Sequence, residues 1–155
     1  MKRELTLADV IGYLPYRLHC IKPSGFINIW AWIKGFYYPD LPDNMGKPIL
    51  RPMSDLYVKI TERGYNDGEP FIPIFRMAKI KYPEFTRFTC CDLDEERVLV
   101  SSPHSPITGW YEYDDDELSI GEYDLLHRLH LDYRGLIPAG LAVSVYDLLT
   151  NPYEA

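Results

Sequence analysis

The chain has 155 residues, 46% of them hydrophobic and 25% charged, which suffices for one core-bearing domain over 1–155 and excludes intrinsic disorder. Sixteen Lys and Arg against 23 Asp and Glu leave a net charge of −7, so the surface repels a phosphate backbone and nucleic acid is disfavoured as a partner. Three cysteines, Cys20, Cys90 and Cys91, supply neither a disulfide framework nor a Cys-x-x-Cys metal or redox pair.

The opening residues carry Glu4 and Asp9 and lack the apolar core of a signal peptide, which predicts a cytoplasmic chain. Thr6-Leu-Ala-Asp9 has the spacing of a helix cap with an acid at the third helical position, and predicts a short helix ending near Gly12 to Pro15. Leu18 to Ile21 and Phe26 to Ile33 then predict a hairpin turned by Ser24-Gly25. The second run is the longest apolar stretch, but Asn28 interrupts it and it is too short to span a bilayer, so no membrane partner is expected. Alternation along this strand puts Trp30 and Trp32 on one face with Phe26 and Asn28.

Gly35 to Lys47 holds Pro39 and Pro42 among acids and reads as a loop. Pro52 predicts a helix start, with Met53, Leu56 and Ile60 on one face and Gly64 at its end. Asn66-Asp-Gly68 is a tight turn, Pro70 to Ile74 an extended piece or helix entry, and Phe75 to Ile80 a short helix. Arg97 to Ser101 and Gly109 to Tyr113 are rich in β-branched and aromatic residues and predict two strands. The acidic turn Asp114 to Glu117 precedes Ser119-Ile-Gly-Glu122, a capping box that opens a helix with Tyr123, Leu126 and Leu129 toward the core. Gly135 and Gly140 bracket a corner before a strand over Leu141 to Val145. The sum is an α+β fold: a small mixed or antiparallel sheet of about four to six strands with three or four short helices.

Three constellations bear on chemistry. His127-x-x-His130 with Asp132 places two imidazoles and a carboxylate close in sequence, the donor set of a zinc or iron site and of a metal-dependent hydrolase; the competing reading is helix-end capping. Trp30 and Trp32 form a candidate stacking platform for a glycan or a base, against which stands burial of a large aromatic on a central strand. Asp114 to Glu117 lacks the alternating ligands and glycine of a calcium loop and reads as a solvated turn. The basic residues Lys79, Lys81 and Arg87 are scattered and make no stripe, and no nucleotide-binding glycine motif occurs. No catalytic residue and no cofactor is expected.

Three blocks in order, Leu5 to Tyr16, Lys47 to Leu56, and Asp132 to Val145 with Asn151-Pro-Tyr153, resemble a family of small proteins encoded in prophages and mobile elements of gut anaerobic bacteria. The resemblance implies a single domain made inside the bacterial cell and carries over no activity. Within the blocks Arg51, Pro52, Asp55, Gly135 and Gly140 behave as structural residues: Pro52 restrains a helix start, and the charged Arg51, Asp55 and Asp132 sit in apolar surroundings where they pair with one another or with a partner. The leading expectation is a noncatalytic accessory protein that binds a host or phage protein, consistent with thirteen tyrosines, a residue favoured at interfaces. Oligomeric state is left open.

Overall fold

The computed structural model describes residues 3–30, 46–91, 94–103 and 105–155. Residues 35–45 of the expected loop, Trp32 and His104 lie outside them, while its last residue, Lys47, opens a strand. The chain divides into two compact units, one joining Met1–Met53 to Leu126–Pro152, the other holding Ser54–Leu125 with Tyr153–Ala155.

The first unit begins with α1 (Leu7–Val10), which tightens into a 3-10 turn over Ile11–Tyr16. The Asp9 carboxylate turns back on the cap and accepts from the Thr6 N–H at 2.9 Å and the Thr6 hydroxyl at 3.0 Å. That satisfies a helix-start donor the backbone leaves orphaned. Strands β1 (Leu18–Ile21) and β2 (Ile27–Trp30) form the expected hairpin, Leu18 opposite Trp30 and Ile21 opposite Ile27. Two further short strands complete a mixed sheet. β3 (Lys47–Leu50) runs antiparallel to β1, and β7 (Val143–Ser144) parallel to β3, giving the order β2-β1-β3-β7. Val10, Tyr13, Leu14, Leu18, Cys20, Leu50, Leu136 and Ala142 make the core beneath it. Cys20 is a buried free thiol whose pKa burial pushes up to about 12.

In the second unit β4 (Arg87–Cys91), β5 (Asp94–Ser102) and β6 (Ser105–Glu112) form an antiparallel sheet in the order β4-β5-β6. Helix α2 (Pro73–Lys81) starts with Pro73, whose missing N–H costs nothing in the first turn, and buries Ile74, Met77 and Ala78. The reciprocal capping box of α3 (Ile120–Arg128) forms as its spacing predicts: Ser119 N–H donates to Glu122 at 3.1 Å and Glu122 N–H to the Ser119 hydroxyl at 3.3 Å. The second oxygen of buried Glu122 accepts from the Tyr111 hydroxyl at 2.6 Å, tying the helix start to β6. Burial first, then that carboxylate, pushes the Tyr111 phenol well above the usual tyrosine range.

The α+β class holds, with three α-helices among the described residues and the strands divided between sheets of four and three. Four local expectations are corrected. The segment from Pro52 makes only a 3-10 turn at Met53–Tyr57, because Ile60 commits both backbone groups to Phe71, at 2.9 and 3.0 Å. Strands β3 and β4 are added, the first hidden by Pro48 and the second a short polar–apolar alternation over Arg87 to Cys90 that the expected elements leave out. Tyr123 is 37% exposed, and Leu125 joins Leu126 and Leu129 inside. The strand expected over 141–145 shortens to two residues because a 3-10 turn opens at Val145.

Candidate functional site

His127, His130 and Asp132 lie close in sequence, and the fold points each at a different partner. His127 Nε2 is 2.7 Å from the Tyr133 hydroxyl, and its ring stands edge-on to Tyr13 with centroids 4.9 Å apart. A side chain at Gly12 would place its first carbon 2.3 Å from that imidazole, so the close approach of the 3-10 turn to the ring requires glycine. His130 is buried in a left-handed backbone conformation (φ 57°), and its Nε2 donates to the Tyr16 carbonyl at 2.8 Å. Tyr13, also buried, donates to the Leu131 carbonyl at 2.5 Å. The result is a knot of two imidazoles and two phenols, with the Tyr16 carbonyl, that binds the start of the chain to the turn after α3.

Asp132 closes that turn. Its two carboxylate oxygens accept from Leu136 N–H and Ile137 N–H at 2.8 Å each, while its own N–H donates to the Arg51 carbonyl at 2.9 Å. Burial raises its pKa, and the two amide bonds oppose that rise without cancelling it. Arg51 N–H in turn donates to the His130 carbonyl at 2.7 Å, so the Arg51 backbone extends the sheet beside Leu131. Gly135 (φ 70°) and Gly140 (φ 76°) sit in the left-handed region with open space where a side chain would go; backbone geometry selects glycine there. Arg51 and Asp55 are buried and Pro52 is half-buried.

Among the described residues, the one group of three acidic, histidine or cysteine side chains whose ligand atoms converge is Asp114, Asp115 and Asp116, all exposed. There Asp114 accepts from Asp116 N–H at 2.9 Å, as in an ordinary solvated turn. The histidine and Asp132 ligand atoms do not come together. Trp30 is half-buried against the first unit's core, while Ile27 and Ile29 on the other face of β2 are 40% and 48% exposed. Its packing follows the burial reading rather than that of an open platform.

Asp9 is the other buried carboxylate among this unit's described residues, flanked by Arg134 at 3.0 Å and by Arg3. Burial raises its pKa, but Thr6 and the two guanidiniums outweigh burial and hold the carboxyl below its ordinary value.

Two features of the second unit escaped the sequence reading. On β6, the last strand of its sheet, Ile107 is 66% and Trp110 48% exposed, and the Arg97 guanidinium lies 4.9 Å from the Trp110 ring centre. A cleft of about 470 Å³ opens between the Pro70–Ile72 segment, α2 and β4, lined by Phe71, Phe75 and Phe88 with Arg76 and Lys79. A signal for the cleft existed in Phe75, Arg76 and Lys79, which share one helix face by spacing.

No protein-family model matches the chain, and no curated protein or solved structure is similar to it.

Proposed function

We propose that the chain is a noncatalytic accessory protein of a prophage or mobile element that works inside the bacterial cell by binding another protein. The observation that carries this reading is the exposed strand β6. It ends its sheet, so among the described residues no strand pairs on its far side, and it presents Ile107 and Trp110 to solvent. Such an edge accepts an added strand from a partner, and Trp and Arg, here in contact as Trp110 and Arg97, are among the residue types enriched in the hot spots of protein interfaces. With a net charge of −7, a basic partner surface is favoured in the encounter. No described helix is long and apolar enough to cross a membrane.

The test is affinity capture from host lysate with the wild type and Trp110→Ala side by side. A partner recovered by the wild type and lost by the variant supports the proposal. Equal recovery by both, or no specific recovery over a range of salt, overturns it. The genes beside this one, if they lie in no phage or mobile element, overturn its assignment to such an element.

A further inference from the structure

We propose that the cleft of the second unit is a binding site for a small organic carboxylate with a flat apolar body, such as an aryl carboxylate. The site is independent of the protein-binding strand. Its volume of about 470 Å³ falls within the ~300–1,000 Å³ usual for small-molecule sites. Its floor and walls are phenyl rings, Phe71, Phe75 and Phe88, of which Phe71 is held in place by its backbone pairing with Ile60. Rings so arranged accept a flat apolar body by stacking or by edge contact.

The charge at the cleft argues for the anion. Arg76 and Lys79, three residues apart on α2, hold their cations 5.9 Å from the centre of Phe71 and 5.7 Å from the centre of Phe88. Among the described residues neither has a carboxylate partner: Arg76 donates to the Asn66 side-chain oxygen at 2.8 Å, and Lys79 to the Pro83 and Phe85 carbonyls at 2.7 Å each. In a chain with 23 acidic residues against 16 basic ones, two anchored cations beside rings and without acids mark a place kept for an external negative charge. Neutral acceptors fix Lys79 without cancelling its charge, and the guanidinium retains donors in the fork geometry that suits a carboxylate. The rings behind the cations exclude a purely inorganic anion as the best fit, because its burial there would leave the apolar walls wet.

The test is an amide-shift titration of the full chain by NMR with three probes: 2-naphthoate, the neutral 2-naphthalenemethanol, and inorganic phosphate. Saturable shifts at Phe71, Thr86 and Phe88 with naphthoate, at least about tenfold tighter than with either other probe, are expected. Arg76→Gln weakens naphthoate about tenfold while leaving the remaining spectrum in place. Independently of any variant, raising sodium chloride to about 1 M, where the screening length falls to ~3 Å, weakens naphthoate several-fold and leaves the alcohol unchanged. Equal binding of the alcohol shows that the cations play no part, and equal binding of phosphate shows that the rings play none. Either result, or absence of saturable naphthoate shifts at millimolar concentration, overturns the proposal.

Discussion

In the first unit, buried and half-buried polar groups are answered from within: Asp132 by two amides, Asp9 by Thr6 and two arginines, His127 by Tyr133, His130 by the Tyr16 carbonyl. The second unit includes such an internal pair in Tyr111 with Glu122, but it also turns two cations toward a cleft and holds Arg97 against the exposed ring of Trp110. The contrast separates residues that look chemical in the sequence from those with something left to offer. A histidine or aspartate held by groups of its own unit is a structural device; an anchored cation with no acid against it among the described residues is a candidate for recognition.

The sharpest way to break this contrast is Asp132→Ala. If Asp132 is a strut, the variant leaves the buried Leu136 N–H and the part-buried Ile137 N–H without acceptors and loses about 2–4 kcal/mol of unfolding free energy in denaturant titrations. A loss under 0.5 kcal/mol, inside the ordinary surface range of about ±0.5, contradicts that role. Next, Gly12→Ala is expected to cost about 1–3 kcal/mol by driving a methyl into the His127 imidazole. The cost should shrink by about 1 kcal/mol or more in a His127→Ala background, since the cycle isolates their contact. In the second unit, Tyr111→Phe strips the buried Glu122 carboxylate of one donor, with an expected loss of about 1–2 kcal/mol. Trp110→Ala, by contrast, should stay within about ±0.5 kcal/mol of wild type by the same assay.

The smallest effects are the pH slopes, and they have opposite signs within one unit. Asp9 has a depressed folded pKa, so its contribution is present above the unfolded value of about 3.9 and is lost as pH falls through the folded one. Asp132 has a raised folded pKa, so its contribution is present below the unfolded value and is lost as pH rises through the folded one. On acidification from about pH 7 to pH 3, wild type should therefore lose stability relative to Asp9→Asn and gain it relative to Asp132→Asn. Parallel slopes for the two variants would remove the distinction between a carboxylate held by cations and one held by amides alone.

Much of the fold was legible where a local rule acts alone. Ser24-Gly25 between two apolar runs, Pro73 at a helix start and the Ser119–Glu122 spacing each specify their element without distant help. Long-range pairing hid the rest. Lys47–Leu50 carries Pro48 and becomes a strand because β1 and β7 flank it, and Ile60 leaves its helical pattern because Phe71 takes its backbone. The same limit governs the candidate sites. His127, His130 and Asp132 are neighbours in the chain, yet His130 answers to Tyr16, 114 residues away, and the Leu131 carbonyl to Tyr13, 118 residues away. Arg76 and Lys79 look like solvated charges on a helix face until β4 and the Pro70–Ile72 segment close a cleft around them.

The division of the chain bears on how the protein is made. Neither unit is continuous: the first takes residues from 1–53 and 126–152, and the second recovers Tyr153–Ala155, with Tyr153 buried and its carbonyl accepting from Arg63 N–H at 2.7 Å. On a ribosome moving at about 5–20 residues per second, the first fifty residues wait several seconds before their partners beyond 126 emerge. Through that interval the apolar faces of β1, β2 and β3 have no completed core to enter, so the nascent chain rather than the finished protein is the species most exposed to aggregation and most in need of a chaperone.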